Sequence, residues 1–138
     1  VVPPAPNSAD RFANARQLCV DRTNMYRARV GARPVVRRTD REACVDDEAQ
    51  KDSRAGKAHA SFGTCKQGAQ NECPDYPGQN PESTLSDCLA QMFAEGPGEP
   101  YADHGHYLNM VDPSFTGVAC GFFPTASGKL WITQDFFR

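Results

Sequence analysis

The sequence predicts an α+β domain in which helices come first and a hairpin closes the chain. Three observations carry that reading. Apolar residues recur at helical spacing in the N-terminal half and again around Leu85 to Met92. Two strand-like runs, 118–123 and 130–137, end the chain and are joined by the turn-rich segment 124–129. Six cysteines accompany a thin supply of large apolar side chains, with Leu 5, Ile 1, Val 9 and Phe 8 in 138 residues. A core that small needs covalent staples.

The elements follow in order. Residues 1–6 (VVPPAP) read as an extended lead-in, because proline fixes φ and removes donors. Residues 7–138 then suit one domain. Asn7 is a candidate N-cap with Asp10 three residues on, and Phe12, Ala15, Cys19, Thr23, Tyr26 and Val30 form one helical stripe that Gly31 and Pro34 stop. A second helix runs from about 40 to 55 on a weak stripe of Ala43, Cys44 and small or polar residues, so a disulfide through Cys44 is expected to hold it. From 56 to 81 the composition turns to Gly, Pro, Asn and Gln and predicts a long irregular loop, often a functional feature. Thr84-x-x-Asp87 resembles a capping box for a third helix through Leu85, Cys88, Leu89 and Met92, ended by Gly96-Pro97-Gly98. Helices covering a small antiparallel sheet are the expected architecture.

Composition excludes several classes. The net charge of −2 gives no basic face for nucleic acid. No apolar run approaches the ~20 residues of a membrane span. Cys19, Cys44, Cys65, Cys73, Cys88 and Cys120 include no C-x-x-C pair, which argues against zinc ribbons and thioredoxin-like sites. An even, scattered set fits three disulfides and an exported protein, with 15 connectivities open to six cysteines. Beginning at Val1, the sequence reads as a mature or trimmed form. Charge is divided unevenly: residues 1–66 carry net +5 and residues 67–138 net −7. Six arginines lie from Arg27 to Arg41. They read either as an anion-facing patch for lipid headgroups or polysaccharide, or as a solvated face complementing the acidic half. Without interleaved aromatics the second is preferred.

Few residues are equipped for chemistry. Glu95 lies three residues after Met92 on the helical stripe, so it either faces a cleft with a partner or reaches water at a fraying end. His104 and His106 would project to one side if extended and to different sides if helical; H-x-H alone is a weak metal signal. His59 sits among Gly56, Ala58, Ala60 and Ser61, where backbone can approach closely. No G-x-S-x-G elbow or phosphate loop is present, and paired cysteines leave no thiolate nucleophile.

These residues also form an ordered set. Asn24-Met-Tyr-Arg27 followed by Gly31-Ala-Arg-Pro34 resembles the N-x-x-R…G…P opening of the CAP superfamily, which includes cysteine-rich secretory proteins, venom antigens and pathogenesis-related proteins. Ala58-His59-Ala-Ser61 is similar to its first histidine segment, and Gln70-Asn71-Glu72 to its G-E-N box with the acid displaced. Met92-Phe-Ala-Glu95 resembles W-x-x-E, and Gly105-His106-Tyr107-Leu-Asn-Met resembles G-H-Y-T-Q-hydrophobic. Val118-Ala-Cys120-Gly121 and Trp131 to Phe136 resemble the family's last two strands. Leu108, Asn109 and Asp112 depart from the usual Thr, Gln and Trp, and Cys73 interrupts the G-E-N box, as in a divergent, bacterial-type member.

The resemblance implies a three-layer αβα sandwich and a secreted protein, extracellular or periplasmic. It implies a cleft of two histidines and two acids at His59, Glu72, Glu95 and His106. There a divalent metal, zinc first, would bind weakly through the two imidazoles, with Glu72 and Glu95 orienting the rings or holding metal-bound water. The leading expectation is a binding module for a lipid, glycan or protein. A metal-dependent hydrolase with Glu95 or Glu72 as general base is the alternative, although enzymatic activity is not the family's general rule. A purely structural or adhesive module is the third reading.

Overall fold

The computed structural model describes residues 10–138. The extended lead-in and the Asn7 cap expected from the sequence lie outside the described residues. Helix α1 spans Ala13–Arg29. Asp10 anchors its start: Oδ1 accepts the Phe12 N–H at 2.9 Å, and its carbonyl accepts from Ala13. The buried stripe is Ala15, Arg16, Cys19, Val20, Thr23, Tyr26 and Arg27, close to the expected one. Val30 lies beyond the helix end and is exposed instead.

The next elements are β1 (Val36–Arg37), a 3-10 turn (Thr39–Arg41), α2 (Glu42–Ala55), β2 (Ala69–Pro77), α3 (Pro81–Ala94), α4 (Tyr101–Val111), β3 (Gly117–Pro124) and β4 (Lys129–Phe137). The strands form one sheet in the order β1-β3-β4-β2. β1 pairs with β3 in parallel, and the other pairings are antiparallel. Helix α2 packs on one face, while α1, α3 and α4 cover the other. The result is a three-layer αβα sandwich around a mixed sheet.

The faces follow from strand alternation. Val118, Cys120 and Phe122 of β3, with Leu130, Ile132 and Phe136 of β4, join Cys19, Leu85, Leu89 and Met110 in the main core. On the opposite face α2 approaches β3 at Gly121, where a Cβ would strike the Val45 and Asp46 backbone. Only hydrogen fits there. Disulfides Cys19–Cys120, Cys44–Cys65 and Cys73–Cys88 tie α1 to β3, α2 to the following loop, and β2 to α3.

Three expectations are corrected. The segment 56–81 is not irregular throughout, because β2 occupies its centre, paired from Ala69 to Pro77 with β4. Its Gln, Asn, Glu, Pro and Asp residues have poor strand propensity; cross-strand pairing and the Cys73 bridge override that preference. The α3 cap is Asn80, whose Oδ1 accepts the Ser83 N–H at 3.0 Å ahead of Pro81 at the first turn. Thr84 instead donates to the Pro77 carbonyl at 2.6 Å. The inner stripe of α2 is Val45, Glu48, Ala49 and Asp52, with Ala43 exposed.

The arginine-rich segment is largely consumed internally. Arg27 is fully buried and donates to the carbonyls of Arg33, Met110, Asp112 and Phe115. Arg37 pairs with Glu42 at 2.7 Å and Arg38 with Asp40 at 2.9 Å. Both acids lie within residues 1–66, so Arg37 and Arg38 are met locally and not by the acidic half.

Candidate functional site

His106 lies on α4 and is held by the end of α3. Its Nδ1–H donates to Glu95 Oε2 at 2.6 Å, while Glu95 Oε1 accepts the backbone N–H groups of His106 and Tyr107 at 3.0 and 3.2 Å. Glu95 is therefore not a fraying residue. It is the acceptor that docks the middle of α4 against the C-terminus of α3. Two residues earlier on α4, His104 serves the same junction from another side: its Nδ1–H donates to the carbonyls of Glu95 and Gly96 at 2.9 and 2.8 Å. Because the segment is helical, the two rings diverge, and His104 is committed to closing the end of α3.

His59 belongs to the loop between α2 and β2 and adopts a left-handed φ of 65°. A non-glycine residue in that region is uncommon and persists where its surroundings hold it. Two β2 side chains supply the hold. Glu72 Oε2 accepts the His59 backbone N–H at 3.1 Å, and Gln70 Oε1 accepts from His59 Nδ1 at 2.8 Å. The hydrogen bond to the ring thus comes from Gln70, which sequence reading did not single out. Glu72 acts on the main chain instead. Its second oxygen accepts from Thr133 Oγ1 at 3.0 Å. The available signal was the order Gln70-Asn71, an amide standing where the G-E-N box has its acid.

The His59 and His106 rings line one cavity of about 230 Å³, together with Gln70, Tyr101 and Asn109. A neighbouring groove shares His59, Gln70, Tyr101 and Asn109 and adds Phe62. Tyr101 and Phe62 are 59% and 49% exposed, so the rim is aromatic and wet. Asn109 is fixed by Tyr101 Oη, which donates to its Oδ1 at 2.8 Å, and its own Nδ2 donates to Asn71 Oδ1 at 3.0 Å. Asn71 in turn donates to the His106 carbonyl and to Gln134 Oε1, and Gln134 Nε2 donates to Thr23 on α1. A buried polar chain therefore runs from the cleft across the core.

Beneath Gln70 and Glu72, on the α2 side of the sheet, four carboxyl groups are buried: Glu48, Asp52, Glu72 and Asp135. Burial and the adjacent Asp52 push the Glu72 carboxyl up to about 8, and burial and the adjacent Glu48 push Asp135 up to about 10. At neutral pH each pair holds a proton. One oxygen of Asp135 receives no donor, as expected of a carboxyl that carries its own proton. Glu48, Asp135 and Cys65 also bring potential ligand atoms within 4.8 Å of one another. Cys65 is bridged to Cys44 and has no thiolate to give, so this trio is a poor metal site.

The histidine pair is the better donor set. Both Nδ1 atoms are engaged by acceptors, and among the described residues neither Nε2 has a hydrogen-bond partner. Imidazoles oriented through one nitrogen and free at the other are what a divalent metal requires.

Comparison with known proteins agrees with this architecture. The family described as CAP: Cysteine-rich secretory protein family matches residues 20–136. No curated protein matches the chain. Among solved structures, NaASP2 crystallised with Zn2+ superimposes with a TM-score of 0.71 at 14% identity, over 92% of this chain and 82% of that one. An extracellular protein containing an SCP domain from Bacillus anthracis str. Ames gives a TM-score of 0.63 at 17% identity, over 100% of this chain and 45% of its own. An outer surface protein of Borrelia burgdorferi gives 0.63 at 11% identity, over 92% and 95%. Identities this low speak to fold alone. The family match across residues 20–136 and the three-layer sandwich together place this chain in the CAP, or cysteine-rich secretory protein, family.

Proposed function

We propose that the chain is an extracellular binding module whose cleft takes a divalent cation, zinc first, through the Nε2 atoms of His59 and His106. The observation that carries this is the pair of rings on one cavity, each with Nδ1 engaged and Nε2 free. When bound, the metal would supply open coordination positions for a donor atom of the ligand. The chain's own residues do the positioning. Glu95 fixes His106, Gln70 fixes the His59 ring, and Glu72 holds the His59 backbone. Two nitrogens are fewer than structural zinc sites use, so occupancy is weak and reversible. A lipid, glycan or protein reaching this aromatic-rimmed cleft is the proposed partner class. Three disulfides and the absence, among the described residues, of a helix long and apolar enough to cross a membrane fit export.

The carboxylates named for hydrolysis are otherwise employed. Glu95 accepts from three N–H groups, and Glu72 is buried between the His59 backbone and Thr133. Neither is free to take a proton from water, which favours binding over hydrolysis. Calorimetric zinc titration of the wild type against His106→Ala tests the reading. Saturable heat lost in the variant supports it. Absence of heat in the wild type would leave a structural module, with the cleft a buried polar network.

A further inference from the structure

We infer that Gln70 is a positioning residue that sets the tautomer of His59, holding its proton on Nδ1 and its lone pair on Nε2. The role follows from the fixed orientation of the Gln70 amide. A glutamine side chain has one end that donates and one that accepts, so whatever captures the first determines what the second offers. Gln70 Nε2 donates to Asp135 Oδ1 at 2.9 Å and to Glu48 Oε1 at 3.3 Å, both inside the sandwich. Turning the amide over would aim its carbonyl oxygen at those acceptors and lose both bonds in a fully buried place. Oε1 is therefore obliged to face His59, and a ring nitrogen 2.8 Å from an oxygen that can only accept must carry the hydrogen. His106 reaches the same tautomer through the Glu95 carboxylate. The two rings thus present matching lone pairs, one set by an acid and the other by an amide.

The amide also has a reason to stand where the family pattern has an acid. A carboxylate at position 70 would place a further anion against Glu48 and Asp135, which already share a buried pocket with Gln67 and Thr64 as donors. Like charges at that range cannot all ionise out of water. An amide satisfies both neighbours: it donates inward to the acids and accepts outward from the ring. Glu72, two residues along the same strand face, cannot substitute, because its oxygens serve the His59 backbone and Thr133.

The tautomer is measurable without metal, and only its consequence for affinity rests on the zinc reading. Long-range 1H–15N correlation spectra of the metal-free protein at about pH 8 distinguish a protonated from an unprotonated ring nitrogen. The wild type is expected to show His59 protonated at Nδ1 only. Gln70→Leu is expected to abolish that preference while leaving the His106 pattern unchanged, and to weaken zinc binding by about 10-fold or more. Gln70→Glu, an acceptor on the same stem, is expected to keep the Nδ1–H form. A wild-type His59 protonated at Nε2, or a folded Gln70→Leu protein with the wild-type pattern, overturns the inference. Should Gln70→Leu fail to fold, the wild-type and Gln70→Glu spectra still decide it. If the wild type gives the expected tautomer but no zinc heat, the metal reading falls and the role of Gln70 stands.

Discussion

The two faces of the sheet are built on opposite principles. Towards α1, α3 and α4 the strands present Val118, Cys120, Phe122, Leu130, Ile132 and Phe136 to a continuous apolar core. Towards α2 the apolar cluster is small, with Val45, Cys65, Ala119 and Phe137 at its centre. Beside Trp131, much of that face is a hydrogen-bonded set of buried carboxyls, amides and hydroxyls around Glu48, Gln67, Gln70, Thr133 and Asp135. An apolar layer is non-directional: it supplies stability without aiming any particular atom. The polar layer aims atoms, and its two outlets, Gln70 and Glu72, both end on His59. The polar layer thus positions His59, while His106 is set from the other side by Glu95 and by the Asn71–Gln134–Thr23 chain that crosses the apolar core.

The largest effect that bears on this contrast is disulfide loss. Replacing Cys19 and Cys120 by Ala opens a span of 101 residues in the apolar layer and is expected to cost about 4–5 kcal/mol. Replacing Cys44 and Cys65 opens a span of 21 residues and is expected to cost about 3 kcal/mol. Denaturant unfolding measures both, and an inverted order would break the assignment of stability to the apolar face. A thiol count on the unfolded, unreduced wild type should be zero.

Point substitutions sharpen the comparison. Leu85→Ala removes a fully buried side chain and is expected to cost ~2–5 kcal/mol. Thr133→Val is nearly isosteric but deprives Glu72 Oε1 of its donor, for a loss of ~1–3 kcal/mol. The second change should disturb the His59 amide resonance, whereas the first should leave it in place.

The polar face also carries a pH signature of definite sign. Asp135 stays protonated in the folded chain up to about 10, whereas an unfolded carboxyl releases its proton near ~4. The folded state therefore binds more protons across that interval, and its stability falls as pH rises through it. Melting temperatures are expected to drop between pH 5 and pH 9. In Asp135→Asn, which cannot ionise there, the drop should be smaller; an unchanged slope would remove Asp135 as its source. Zinc affinity should move the other way, weakening at least about tenfold from pH 7.5 to 5.5 as protons compete for both imidazoles.

The smallest expected effect separates the two α4 histidines. His104→Ala removes the donor to the Glu95 and Gly96 carbonyls and is expected to cost ~1 kcal/mol while leaving zinc binding unchanged. A loss of zinc heat in that variant would merge the two roles.

Legibility from sequence tracked the kind of force at work. Helices α1 and α3 and the hairpin of β3 and β4 were readable because burial of apolar side chains imposes a period on the chain itself. Strand β2 carries no such period, since its inward residues Gln70 and Glu72 face a polar layer. The α2 stripe was misplaced for the same reason, as its buried positions include Glu48 and Asp52. Glu95 and His106 were singled out by position and resemblance, while only the fold supplied their hydrogen bond. By itself, then, the sequence determined the α+β class, three disulfides' worth of cysteine and the family to which the motifs belong. Tertiary structure alone decided which cysteines pair, that β2 is a strand, and that Gln70 rather than Glu72 meets the His59 ring. Hydrogen bonds depend on distance and direction between groups far apart in the chain, as with Gln70 and Asp135, and no local pattern of residue types encodes either.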